Sequence, residues 1–182
     1  MRRPIMMFLA SAIMASTAAA QASTVILVRH GEKASQTETD PILSAAGVQR
    51  AKDLAAALAD GGVTTVITTQ WKRTRATAAP FVAATHPKTM IVNDSAGIYK
   101  HIADMVATIM ARPAGDVVLV VGHSNTIPRI VGALGGPKML DLCDSQYSTM
   151  FILEMNGTNP PRLIRATYGK EDPPDSCRNR KP

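Results

Sequence analysis

With 182 residues, 46% of them hydrophobic and 19% charged, the chain has the makings of one globular domain with a sizeable core, and not of a disordered or fibrous protein. A formal net charge of +6 suits an anionic substrate without identifying it. The basic residues are scattered and only 4% of the chain is aromatic, too little for the stacking platforms of a nucleic-acid binder, so no nucleic-acid partner is expected.

The first 22 residues read as a secretory signal peptide, outside the fold. Arg2 and Arg3 form a positive start, an apolar stretch runs from Ile5 to Met14, and a small-residue run from Ala15 leads to Ala20-Gln21-Ala22, an A-x-A cleavage pattern. An uncleaved anchor is the alternative. Against it, Ser11, Ser16 and Thr17 interrupt the segment, which is shorter than the roughly 20 residues a membrane span needs. The expected organisation is therefore a leader over 1–22 and one domain over 23–182, periplasmic or secreted, with no stable membrane insertion after cleavage.

Thr24 to Val28 is a short apolar, β-branched run that reads as a buried strand, and Arg29-His30-Gly31 follows it at a sharp turn. After a polar loop to Pro41, Ser44 is placed to cap a helix whose apolar face is Val48, Ala51, Leu54, Ala55 and Leu58; Gly61-Gly62 ends it. Val63 to Thr68 is a second strand. Lys72, Arg73 and Arg75 open the next helix, which Pro80 is expected to kink or end. Thr89 to Val92 is a short strand candidate. Ile102, Met105, Val106 and Ile109 mark an amphipathic helix, and Pro113 stops it. Val117 to Val121 is a strongly apolar strand that ends in Gly122-His123. A helix with Ile127, Ile130, Val131 and Leu134 on one face follows, with Pro128 tolerated in its first turn. Tyr147 to Glu154 and Arg162 to Thr167 are late strands. Strands alternating with helices predict a three-layer α/β/α domain with a mostly parallel central sheet.

In such sheets ligands bind beyond the carboxyl ends of the strands. The first strand brings Arg29, His30 and Gly31 there, the second is followed by Arg73, and the long apolar strand brings Gly122, His123 and Ser124. This set fits a phosphoryl group. An arginine fork matches phosphate oxygens, a glycine lets the backbone come close, and a neutral imidazole is a nucleophile able to carry phosphate. His86, before Pro87, and His101, at a helix start, lack this placement and read as structural or surface residues. Cys143 and Cys177 are the two cysteines; in an oxidising compartment the simplest reading is a disulfide that ties the polar, proline-rich tail to the segment near Asp141. No third or fourth ligand stands near them for zinc.

At these residues the chain resembles the histidine phosphatase superfamily, phosphoglycerate mutase-like, in its RHG-motif branch. Val28-Arg29-His30-Gly31-Glu32 resembles the RHG signature. Leu43-Ser44-Ala45-Ala46-Gly47 through Ala51 is similar to the L-[TS]-x-x-G-x-x-x-A segment, Gln70 to Ala78 to the S-x-x-x-R-T-x-x-T-A segment, and Val121-Gly122-His123 to the strand of the second histidine. The resemblance implies a metal-independent phosphatase with no cofactor, acting on phosphate monoesters or phosphoramidates of small molecules. His30 would be the phosphorylated nucleophile, with Arg29, Gly31, Arg73, His123 and Ser124 around the phosphate. The family's proton-donating acid has no recognisable motif here; Glu32, Asp94 and Asp104 are the candidates.

Two other readings stand beside it. Gly122-His123-Ser124-Asn125-Thr126 resembles the nucleophile elbow of serine hydrolases, but that fold needs its histidine after the serine and all four histidines lie at or before position 123. A non-catalytic, exported phosphate or sugar-phosphate binding protein would use the same pocket without needing a nucleophile at His30. The sequence carries no signal of oligomeric state.

Overall fold

The structure is a computed structural model that describes residues 24–155 and 160–173. The leader expected at 1–22 and Cys177 lie outside the described residues. Along the chain come β1 (Thr24–Arg29), α1 (Ala45–Ala57), β2 (Thr65–Thr68), α2 (Lys72–Thr85), β3 (Lys88–Ile91), α3 (Ile98–Met110), β4 (Val117–Gly122), α4 (Ile127–Ala133), β5 (Thr149–Glu154) and β6 (Arg162–Thr167). The strands form one six-stranded sheet in the order β3-β2-β4-β1-β5-β6. β1, β2, β3 and β4 are mutually parallel, whereas β5 runs antiparallel to β1 and β6 antiparallel to β5. The expected α/β class and mostly parallel sheet are what the fold shows.

The apolar runs of β1 and β4 are continuous because both faces of the sheet are covered. Val25 and Leu27 of β1, with Val118 and Val120 of β4, face a core closed by Met105 and Ile109 of α3 and by Ile127, Ile130 and Val131 of α4. The alternate residues Ile26, Val28, Leu119 and Val121 face a second core, closed by Leu54 of α1 and by Ala78 and Phe81 of α2. Period-two alternation thus sends successive residues of one strand into different layers. Each of these side chains is nearly or fully buried, at about 1.5–3 kcal/mol apiece for the larger ones.

Local chemistry sets the boundaries. The Ser44 hydroxyl accepts from the Gly47 N–H at 3.1 Å and starts α1. α2 continues through Pro80, so the proline does not end it. The proline forgoes one helical hydrogen bond, while Ala78 and Phe81 on either side of it are anchored in the core. The helix stops instead at His86, which takes the left-handed conformation (φ 51°) just before Pro87, so this histidine has a structural role as a helix terminator. β5 begins two residues later than the sequence pattern suggests, because the N–H groups of Tyr147 and Ser148 donate to the Asp172 carboxylate at 2.8 and 3.0 Å.

Candidate active site

The parallel strands β1, β4 and β2 end side by side, with Arg29 opposite Gly122 and Val121 opposite Thr68. The residues just past these ends are brought together by the register alone. The His30 N–H extends the ladder to the Gly122 carbonyl at 2.9 Å, and the rings of His30 and His123 meet edge to face with centroids 5.3 Å apart. A cavity of about 480 Å³ opens there, and Arg29, His30, Arg73, His123 and Ser124 all line it. Larger grooves of about 750 and 630 Å³ run along the Lys138–Asp141 segment. They collect no histidine, so the chemistry is placed in the smaller cavity.

His30 is 4% exposed. Its Nδ1 lies 2.7 Å from the Gly31 carbonyl oxygen. A carbonyl only accepts, so Nδ1 carries the proton and Nε2 keeps its lone pair. Burial pushes the His30 pKa down to about 3, against the pull of the Gly31 carbonyl and with help from the nearby His123, Arg29 and Arg73. Burial likewise pushes His123 down to about 3, aided by Arg73 and opposed by Asp94. Its backbone N–H donates to the Thr126 hydroxyl at 3.0 Å and its Nε2 sits 3.2 Å from the Thr69 hydroxyl.

The two histidines couple stability to pH. An unfolded chain protonates histidine near pH 6.5, whereas these two stay neutral in the fold down to about 3. Between those values the unfolded state binds more protons, so their contribution is whole above about pH 6.5 and lost as the pH falls. Urea unfolding from pH 7 to 5 should show this as a loss approaching about 1.4 kcal/mol per pH unit for each histidine. A His30→Asn variant should show a shallower fall; a slope equal to that of the wild type would refute the neutral assignment.

Arg29 is 5% exposed. Its Nη1 donates to the carbonyls of Cys143, Asp144 and Gln146 at 2.7, 3.1 and 3.0 Å, and Nη2 donates to the Tyr147 hydroxyl at 3.2 Å. The guanidinium lies 3.9 Å above the Tyr147 ring. It therefore also pins the 143–147 segment against the site, while its buried Nε has no hydrogen-bond partner among the described residues. Arg73, at the start of α2, packs 4.9 Å from the Trp71 ring centroid, and its Nη2 is 3.5 Å from His123 Nδ1. Its buried Nε also lacks a partner among the described residues. Two guanidiniums thus line one cavity, a pairing whose planar forks suit an oxyanion.

Three expectations need correction. Gly31 was expected to meet phosphate, but it does not line the cavity. Its N–H donates to the Thr77 hydroxyl at 2.8 Å and its carbonyl orients His30. Its lack of a side chain serves packing instead: a Cβ there would lie 2.9 Å from the Gly47 carbonyl oxygen, and one on Gly47 would collide with the Glu32 carbonyl. Glu32 was a proton-donor candidate, but its carboxylate is gripped by Arg50, whose Nη2 and Nε donate at 2.8 and 3.0 Å, outside the cavity. Asp104 is on α3, paired with Lys100 at 2.8 Å on the surface.

Asp94, the remaining candidate, does reach the cavity, with Oδ2 3.8 Å from His123 Nε2. Burial works to raise its pKa, but hydrogen bonds from Trp71 Nε1 at 2.6 Å and Gln70 Nε2 at 2.5 Å outweigh it and hold Asp94 below the usual carboxylate range. It is present as an acceptor, not as a ready acid. The sequence reading missed Tyr147, the clamp of Gln70 and Trp71 on Asp94, and Thr77. Only Thr77 had a visible signal, as the threonine four residues after Arg73 in the segment read from Gln70 to Ala78. His101, expected to be structural or at the surface, is buried and lines the cavity.

The model of the histidine phosphatase superfamily (branch 1) matches residues 25–98, a span that takes in Arg29, His30, Arg73 and Asp94. Among solved structures, SixA from Nakamurella multipartitia is 25% identical, with a TM-score of 0.58 over 83% of this chain and 98% of that one. The protein histidine phosphatase SixA in complex with tungstate is 15% identical, with a TM-score of 0.60 over 79% and 96%. Phosphoserine phosphatase from Entamoeba histolytica, in complex with 3-phosphoglyceric acid, is 16% identical, with a TM-score of 0.60 over 81% and 97%. No curated protein sequence matches significantly. The family match spans residues 25–98, and the solved structures share the fold of this chain.

Proposed function

We propose that the chain is a histidine phosphatase superfamily protein, a metal-independent phosphatase of the RHG branch that works through a phosphohistidine on His30. The observation that carries this reading is a neutral His30, oriented by Gly31 so that Nε2 is the free nucleophile, in one cavity with Arg29, Arg73 and His123. Substrate phosphate would sit between the two guanidiniums. Nε2 attacks phosphorus, the N–P bond forms, and the P–O bond to the leaving group breaks, its oxygen departing as the oxyanion and taking a proton from solvent. The growing charge on the phosphoryl oxygens falls where fixed donors already point. Water then attacks the phosphohistidine, the N–P bond breaks, inorganic phosphate leaves, and the proton released by water goes to the Asp94 carboxylate. A phosphate-binding protein would use the same cations, but it has no use for an oriented nucleophile.

Asp94 held as a carboxylate has a further consequence. The first step lacks a ready acid, so substrates with good leaving groups should turn over best. p-Nitrophenyl phosphate is such a substrate, and the mature protein should hydrolyse it in the presence of EDTA. No turnover by properly folded protein would sink the reading; dependence on a divalent ion would remove its metal-independent part.

We also propose that residues 1–22 are cleaved as a leader from a single domain over 23–182, and that the product is periplasmic or secreted. Disulfide pairing of Cys143 with Cys177 goes with that compartment. Cys143 is buried at 3% exposure beside Arg29, which holds its carbonyl. Thiol titration of denatured, unreduced mature protein is expected to find no free cysteine, and two titratable thiols would remove the pairing.

A further inference from the structure

Past the ends of β2 and β3 the parallel register brings two connections together. Thr68 of β2 pairs with Ile91 of β3, and the Val92 N–H donates to the Thr68 carbonyl at 2.9 Å. The residues that follow, Gln70-Trp71 on one side and Asp94 on the other, therefore meet. Gln70 grips Asp94 reciprocally: its Oε1 accepts from the Asp94 backbone N–H at 3.2 Å, and its Nε2 donates to Oδ1 at 2.5 Å. The Trp71 indole N–H donates to the other carboxylate oxygen, Oδ2, at 2.6 Å.

Oδ2 is also the oxygen that faces His123, 3.8 Å from its Nε2. Trp71 and Asp94 both line the cavity, and the Arg73 guanidinium packs 4.9 Å from the Trp71 ring centroid. One indole thus meets both the cation that would hold phosphate and the carboxylate that would take a proton from water. Gln70 already ties down the Asp94 backbone and Oδ1, so a loop that needed only an anchor has one without Trp71. The indole bond adds a second fixed point on the carboxylate, and two points set the plane of the group. A hydrogen bond to an ionised acceptor is short and strong enough to hold that plane.

We propose that Trp71 is a positioning residue: its indole N–H holds the Asp94 carboxylate in the orientation that receives a proton from the water attacking the phosphohistidine. This rests on the phosphatase reading above and concerns its second step. In that step the water oxygen bonds to phosphorus and the N–P bond breaks, its electron pair returning to His30 Nε2. One water proton passes to Asp94, which then releases it to solvent. The first step needs no proton donor when the leaving group is nitrophenolate. Trp71 therefore acts on the hydrolysis of the phosphoenzyme and not on its formation. Losing a donor makes the carboxylate a stronger base, so a slower second step without the indole N–H reports orientation and not basicity.

The test is Trp71→Phe, which keeps an aromatic face for Arg73 and removes the donor. Phosphoenzyme formed by rapid mixing with p-nitrophenyl phosphate should lose its phosphoryl group about tenfold more slowly than in the wild type. The kcat/KM for p-nitrophenyl phosphate, set by the first step, should stay within about threefold. Asp94→Asn should slow phosphoenzyme hydrolysis by about 100-fold or more. In the Asp94→Asn background, Trp71→Phe should then cost no more than about twofold, because a residue that works through Asp94 has nothing left to orient. Unchanged phosphoenzyme hydrolysis in folded Trp71→Phe would overturn the proposal. So would a tenfold loss that persists in the Asp94→Asn background, or an equal fall in both steps. A further measurement needs no change at Trp71. It is the one tryptophan of the chain, so a single indole N–H resonance is expected at pH 7, downfield of that of a free indole and moved upfield in Asp94→Asn. A resonance at the free-indole position in the folded wild type also overturns the proposal, while leaving the phosphatase reading intact. Absence of p-nitrophenyl phosphate hydrolysis by the folded wild type would instead fell that reading, and this inference with it.

Discussion

Replacing His30 with alanine is expected to lower kcat for p-nitrophenyl phosphate by at least about a thousandfold, the scale seen when an enzyme loses its nucleophile. The size of the effect follows from the geometry. Nε2 is the one nucleophilic atom on the ring, because Nδ1 is committed to the Gly31 carbonyl. With its pKa pushed down to about 3, nearly all of the ring is in the reactive form at neutral pH. No second group is poised to replace it. His123 makes its contacts with Thr69, Arg73 and Asp94. Arg29 and Arg73 stay in place in the variant, so its affinity for inorganic phosphate should change by only a few-fold. A kcat loss with phosphate binding kept separates a missing nucleophile from a collapsed site. The same chemistry predicts that quenched wild-type enzyme carries an acid-labile, alkali-stable phosphoryl group, as expected of an N–P bond, and that His30→Ala carries none. A variant that turns over at close to the wild-type rate would move the nucleophile elsewhere.

The parts of the fold that could be read in advance are those that one short stretch of chain determines. Val25 to Val28 and Val118 to Val121 are apolar on both faces because each is covered on both faces. Ser44 marks the start of α1 by a contact only three residues away. Once strands β1 and β4 are recognised, parallel register puts Arg29-His30 beside Gly122-His123, so those four residues of the site follow from local signals plus one rule about sheets. What escaped reading depends on distant segments. The clamp on Asp94 joins residues 23 and 24 apart, and Arg29 finds its partners more than a hundred residues on. Gly31 and Glu32 misled for the opposite reason. They adjoin His30 in sequence, yet the chain turns against α1 there, and proximity to a nucleophile becomes contact with Gly47 and Arg50. Pro80 does not end α2, because propensity counts the lost hydrogen bond and not the anchoring of Ala78 and Phe81 around it.

Arg73→Ala is expected to lower kcat/KM for p-nitrophenyl phosphate by about 100- to 1000-fold, the usual effect of removing one donor aimed at transition-state charge, while Lys72→Ala stays within about twofold. The two residues are adjacent cations, so a general loss of positive charge would affect them alike. Their placement differs. Lys72 is exposed on the first turn of α2, and its backbone N–H, which alanine keeps, donates to Asp40 at 3.0 Å. Arg73 has a side chain only 14% exposed, lines the cavity, and has a buried Nε without a partner among the described residues. Its ion pair with Asp40 is long, at 3.8 Å, and leaves most of the fork free for phosphate. Arg73→Lys should recover only part of the loss, since an ammonium restores the charge but not the two-pronged geometry. The His123 ring offers an independent readout. Arg73 is among the groups that hold its pKa down, second to burial, so the His123 NMR titration should move upward in Arg73→Ala and stay put in Lys72→Ala. Equal kinetic losses in the two alanine variants, with no shift at His123, would show that Arg73 acts only through the general field of the molecule.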